Sequence, residues 1–192
     1  METPNDADII AFTDAAQWES WLADNGERQA SVWLKLAKKN SGVASVTLAE
    51  ALDVALCYGW IDGQRKSYDE AYFLQRYCRR RPKSSWSKIN TDRAGALIAA
   101  GRMQPPGLAA IQAARADGRW DAAYESQRNA TVPPDLMAAL ASSDQARSFF
   151  DSLGRTGQYA AILRLLKART PEMRAAYLEE MIARLEAGRK IT

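Results

Sequence analysis

The chain has 192 residues, 47% of them apolar, with a formal net charge of +3 and no histidine. That apolar share excludes a disordered chain, and the length fits one domain or a small domain with a helical part appended. The missing histidine removes the commonest general base, the usual partner of a serine or cysteine nucleophile, and the commonest metal ligand.

The opening "METPNDADIIAFTDAA" is acidic and has no apolar stretch of the kind an export signal needs. No apolar run approaches the roughly 18 residues of a membrane span, so a cytosolic protein is expected. Cys57 and Cys78 lack any CxxC or metal-ligand rhythm and read as reduced thiols.

A first helix is announced by Thr13 and Asp14 as alternative N-caps, with Gln17 in capping-box position, and it stops at Gly26. "SVWLKLAKK" then alternates, with Val32, Leu34 and Leu36 on one face and Trp33 and Lys35 on the other, as a half-buried strand does. Thr47 and Glu50 make a second capping box for a helix ending at Gly59. Residues 60–67 and 71–79 read as a hairpin. Strict alternation would put Trp60, Asp62, Gln64 and Lys66 on one face of its first strand, and Tyr72, Leu74, Arg76 and Cys78 on one face of its second. From Pro82 onward every signal is helical. Ser85 or Ser87 caps a segment reaching Gly101, and Pro105–Pro106, Pro133–Pro134 and Pro171 open further helices. Two more helices are read in "DQARSFFDSL" and, after a Gly154–Gly157 turn, in "QYAAILRLLKA".

The fold expected is therefore α+β: a small antiparallel sheet of about three strands with two helices in residues 1–90, and an all-helical part in residues 91–192 packed on it.

Charge is unevenly spread. Residues 1–59 carry 4 basic and 9 acidic groups, residues 60–93 carry 9 and 4, and residues 94–192 carry 13 and 10. The stretch "CYGWIDGQRKSYDEAYFLQRYCRRRPKSSWSKIN" holds eight cations, two tryptophans and four tyrosines. Such a density can draw an anion, or it can be a solvated sheet face. Trp60 reads as a core anchor or as a stacking wall for a ligand. Asp62, disfavoured in mid-strand, either faces solvent, pairs with Arg76, or lines a polar cleft. Arg79, Arg80 and Arg81 run into Pro82 and a helix start, where guanidinium groups and free N–H groups together make an anion site. Their alternative is pairing with acidic helices elsewhere. Trp86, in the same segment, reads as buried against the sheet.

At "ALCYGWIDGQRK", "RRPKSSWSKIN" and "LIAAGRMQPPGLAAI" the order and spacing resemble the YdeI/OmpD-associated family, also named for bacteriocin protection. The resemblance runs from about Phe12 to about Gly188. It implies a link to tolerance of bacteriocins or cationic antimicrobial peptides and to an outer-membrane porin, and it carries no catalytic residues over. Two positions depart from the family's pattern: Arg79 stands where a proline is common, and Met173 precedes Arg174 where a threonine is usual.

The function expected is that of a non-catalytic binding or interaction protein of this envelope-stress type. Its anion- or ligand-accepting surface would comprise Trp60, Asp62, Gln64, Arg76, Arg80, Arg81 and Trp86, with no metal and no cofactor. Its partner would be another protein or an anionic small molecule. A cytosolic chain would protect indirectly, through a metabolite, a regulator or export of a porin. Two alternatives stand beside this. One is a histidine-free enzyme or metabolite-binding protein using Asp62, Tyr68, Tyr72 and Arg76 on an anionic substrate. The other, less favoured at this modest net charge, is single-strand nucleic-acid binding.

Overall fold

The computed structural model describes residues 9–191; the acidic opening from Met1 to Asp8 lies outside them. The chain divides into two compact units, one of Met1–Ser84 with Asn90–Asp121 and one of Ser85–Ile89 with Ala122–Thr192.

The first unit carries a four-stranded sheet of β1 (Ile9–Ile10), β2 (Ser31–Ala37), β3 (Trp60–Ser67) and β4 (Tyr72–Arg79), in the order β1-β2-β4-β3. β2, β4 and β3 are antiparallel as expected, and β1 adds a short parallel strand beside β2. Two residues are too few to show a period, which is why β1 is not read from the sequence.

Helices α1 (Ala15–Asn25) and α2 (Leu48–Cys57) cover the face carrying Val32, Leu34 and Leu36. Both begin at the capping residues the sequence offers. The Gln17 N–H donates to Asp14 Oδ1 at 2.9 Å. Thr47 and Glu50 exchange bonds, Thr47 N–H to the carboxylate at 2.9 Å and Glu50 N–H to the hydroxyl at 3.2 Å. Trp18 joins the two helices by donating its indole N–H to the Ala51 carbonyl at 3.1 Å. Around it gather Phe12, Trp21, Trp60 and Tyr77, with ring centroids 5.4 to 6.4 Å apart. Aromatic pairs at these separations add about 0.5–1.5 kcal/mol beyond their burial.

In the same unit run α3 (Lys88–Ala99), counted from Asn90, and α4 (Pro105–Ala116). The end of α2 meets the start of α4 backbone to backbone. The Gln104 N–H donates to the Cys57 carbonyl at 3.0 Å, supplying one of the bonds a helix end lacks. Two glycines permit this. Gly59 has φ +73° and a Cβ there would stand 2.9 Å from the Pro106 oxygen; one on Gly107 would stand 2.1 Å from the Cys57 oxygen.

The second unit holds α5 (Pro134–Ala141), α6 (Asp144–Ser152), α7 (Arg155–Leu166) and α8 (Pro171–Glu186) around Leu136, Leu140, Phe150, Ile162, Leu165 and Met181. α7 starts at Arg155 and runs through Gly157, so the expected glycine turn is only the Gly154 cap. Residues 85–89 join this unit through a bridge between Ser87 and Tyr124, with the Lys88 N–H donating to the Tyr124 carbonyl and the Tyr124 N–H to that of Trp86. Arg174 of α8 clamps three helices. It meets both oxygens of Asp135 on α5, at 2.6 and 2.9 Å, and donates to the Leu165 carbonyl of α7 at 2.9 Å. This bidentate bond holds the Asp135 carboxyl below its ordinary value.

Gly107→Ala should lower stability in urea unfolding by about 3 kcal/mol, since neither backbone can yield. Gly95→Ala, in α3 with nothing near its Cβ position, should instead raise it by about 0.8 kcal/mol. Arg174→Ala should cost about 1 kcal/mol, the pair being one-third exposed. Because the folded Asp135 value is depressed, this contribution is complete above the unfolded carboxylate value and fades as pH falls through the folded one. Unfolding followed from pH 7 to pH 2 should therefore show wild type and variant converging at the acid end.

A candidate anion-binding recess

A buried glutamine shapes the edge of the sheet. Gln75 is 2% exposed, a state an amide reaches only when its bonds are made. Its Nε2 donates to the carbonyls of Gly63 at 3.0 Å and Gln64 at 3.2 Å, and its Oε1 accepts from Arg65 Nε at 3.1 Å. Those bonds hold a bulge in β3, where the register slips between Asp62 and Arg65. Asp62 stands opposite Tyr77 and Arg65 opposite Gln75.

The bulge corrects the strict alternation. Trp60 and Asp62 share their face with Arg65 and Ser67, while Lys66 goes to the opposite face, its Nζ 5.2 Å from the Trp33 ring. Gln64 is therefore not carried along with Asp62 by a period of two; it sits exposed in the bulge. The expected Asp62–Arg76 pairing is also absent, since Arg76 belongs to the opposite face and donates to Ser31 Oγ at 2.9 Å.

Trp60 is fully buried, with its indole N–H given to the Gly26 carbonyl at 3.2 Å, so no face remains for stacking a ligand. Arg79, Arg80 and Arg81 diverge. Arg79 reaches the Glu27 carbonyl at 3.1 Å, Arg80 is half-buried, and Arg81 is exposed in the turn where its carbonyl accepts from the Ser84 N–H. Trp86 is buried in the second unit, whereas Trp60, Asp62, Gln64, Arg76, Arg80 and Arg81 all belong to the first.

Tyr77 was not among the expected site residues, although it completes the group. Its side chain is fully buried, yet its hydroxyl has no hydrogen-bond partner. Burial, and then the Asp62 charge, push its pKa well above the ordinary range, so it is a neutral donor at any physiological pH. Arg65 and Arg93 bear on it from the other sign. Asp62 reaches solvent but is crowded on its inner side, and this desolvation raises its carboxyl despite the fields of Arg65, Arg80 and Arg93. Arg93 comes from α3 and is anchored by one nitrogen, which donates to the Ala49 carbonyl at 3.1 Å and lies 3.2 Å from Asp53 Oδ1. A backbone hydrogen bond also lowers the Asp62 carboxyl, and Arg65 gives its Nε to Gln75 with its guanidinium over the Phe73 ring. This edge of the sheet thus brings the fields of Arg65, Arg80 and Arg93 to one carboxylate and those of Arg65 and Arg93 to the buried Tyr77 hydroxyl.

Cations also lie over rings of the sheet. Lys35 sits 4.2 Å from the Tyr72 ring and 4.7 Å from that of Tyr68, and Arg65 lies 4.8 Å from the Phe73 ring. A concavity of about 920 Å3 lies between the end of α1 and the start of α4, lined by Asp24, Glu27, Arg28 and Arg79 of mixed sign and by Tyr58. Both cysteines are free thiols. Among the described residues no three Cys, Asp or Glu side chains converge as metal ligands, and no helix is long and apolar enough to cross a membrane.

Together these features define a mixed α+β protein of a sheet-bearing unit, whose edge carries this charged group, and a helical unit. The chain belongs to the family described as Domain of unknown function (DUF8412), whose model matches residues 10–110 and so contains these side chains. Residues 129–188 match the family described as Bacteriocin-protection, YdeI or OmpD-Associated. The resemblance drawn from the sequence is thus found in the helical unit, whereas the Gly-Trp-Ile-Asp-Gly, Arg-Arg-Pro and Gly-Arg-Met motifs lie within the other match. No curated protein and no solved structure matches the chain.

Asp62→Asn should stabilise the fold slightly at pH 7, by about 0.5 kcal/mol after screening by solvent. The folded carboxyl has a raised value, so its charged form opposes folding above that value. The gain should vanish as pH falls below the unfolded carboxylate value, where wild type is protonated in both states. A variant less stable than wild type at pH 7 would show that the carboxylate is structurally needed.

Proposed function

We propose that this chain is a non-catalytic binding protein of the bacteriocin-protection type, which takes a small anionic ligand at the edge of its sheet. The accepting groups are Tyr77, Arg65 and Arg93, with Arg80 and Asp62 beside them. The observation that carries this reading is the Tyr77 hydroxyl: fully buried, uncharged, without a partner, and set among arginines. An unsatisfied buried hydroxyl costs about 1–3 kcal/mol, and a structure keeps such a group where a ligand or water completes it. The match of residues 129–188 supports the protective role, and a ligand held by the first unit would link that role to a metabolite.

Native mass spectrometry of gently purified protein tests the reading. A small acidic mass should accompany wild type and be lost from both Tyr77→Phe and Arg93→Gln, with thermal unfolding confirming that each variant is folded. A bare wild-type chain that also gains no mass on adding small carboxylates or phosphate would sink the proposal. So would a bound mass indifferent to both substitutions.

A further inference from the structure

The face of the sheet turned away from Tyr77 carries a chemistry of its own. The helices of the first unit gather on the Leu34 side: α1 and α2 pack there, α4 meets α2, and Arg93 of α3 reaches the Ala49 carbonyl of α2. Strand register brings Trp33 and Lys35 of β2, Tyr72 and Arg76 of β4 and Lys66 of β3 together on the opposite face. Lys35 lies over two rings, 4.2 Å from that of Tyr72 and 4.7 Å from that of Tyr68, and Lys66 lies 5.2 Å from that of Trp33. Tyr68 is 45% exposed, and Trp33, Lys35, Tyr72 and Arg76 keep part of their surface in solvent. None of the described positions that β2, β3 and β4 give this face is acidic; Asp69 and Glu70 lie in the turn beyond. A net charge of +3 for the whole chain therefore understates the field of this surface.

We infer that this face binds a single strand of nucleic acid, its bases stacked on Trp33, Tyr72 and Tyr68 and its phosphates held by Lys35, Lys66 and Arg76. A base stacked on a ring outweighs an exposed cation lying over it, and the displaced lysine, on its flexible four-carbon stem, then reaches a phosphate. Arg76 is held in place by its bond to Ser31 Oγ at 2.9 Å. At roughly 3.3 Å per residue β2 spans about 23 Å, room for about four nucleotides, the low end of the site sizes of single-strand-binding folds. A second copy of the chain would bring the same cations to the contact and be repelled. An acidic peptide would meet the cations and leave the rings without a base to stack. These groups are not those around Tyr77, so this binding and the anion site stand or fall separately.

Fluorescence anisotropy of a labelled oligothymidylate of about 12 nucleotides, titrated with the full chain, tests this. Binding should lie in the micromolar range at about 50 mM salt and weaken about twentyfold by about 200 mM, the slope that three phosphate contacts on a single strand give. Trp33→Leu and Tyr68→Leu should each weaken it at least about fivefold. Lys35→Gln combined with Arg76→Gln should weaken it and shrink the loss over the same salt range to about threefold. Arg147→Gln, on α6 of the second unit, should bind as wild type does. Thermal unfolding checks that each variant is folded, and the exposed Tyr68 reports stacking even where Trp33→Leu fails to fold. No binding up to about 100 μM protein at low salt overturns the inference. So does binding that survives both ring substitutions. Competition by polyglutamate as effective as that by unlabelled oligonucleotide would overturn it too, since the cations alone would then account for the binding.

Discussion

One buried amide decides what meets at the open edge of the sheet. Gln75 cannot stay inside an apolar layer unless its donors and acceptor are paired, and the edge strand supplies the partners by bulging. The extra residue in β3 shifts every side chain beyond it to the other face. Arg65 thereby joins Asp62 and Tyr77, and Lys66 is sent to lie against Trp33. Without the bulge, Arg65 would face the opposite side and this face would lose a cation. The geometry of the site is thus a consequence of satisfying one interior polar side chain.

Much of the fold was legible because its signals are local. Capping at Asp14 and Thr47 acts within four residues, and the alternation in Ser31–Ala37 lies in one strand. Proline and glycine mark the helix ends for the same reason. The bulge was not legible, because it depends on a contact between residues 63, 64 and 75 across two strands. Its one sequence trace is Gly63, a glycine inside a strand pattern, and that signal marks bulges and close approaches alike. The face assignments of Gln64 and Lys66 failed with it.

The same distinction separates Asp62 from Tyr77. A mid-strand aspartate is conspicuous in any sequence, whereas a tyrosine on a buried face reads as ordinary core. What marks Tyr77 is the lack of a partner for its hydroxyl, a fact about the space around it. Trp60 is the converse case, where the core-anchor reading holds. It is conspicuous in the sequence, and it is wholly occupied with Gly26, Trp18 and Trp21.

The cationic, aromatic stretch that stands out in the sequence has no single explanation, because a sheet sorts neighbours in sequence to opposite faces. On one face the cations lie over rings, Lys35 on Tyr72 and Lys66 on Trp33, which shields apolar carbon at an edge that would otherwise invite pairing. On the other face Arg65 lies over Phe73, and its field and that of Arg93 from α3 act on Tyr77. The charge density is therefore greater than a ligand requires and greater than a solvated edge requires. It is the sum of two demands placed on the sheet, and each face also keeps a buried group without a partner, the Tyr77 hydroxyl on one and Arg76 Nε on the other.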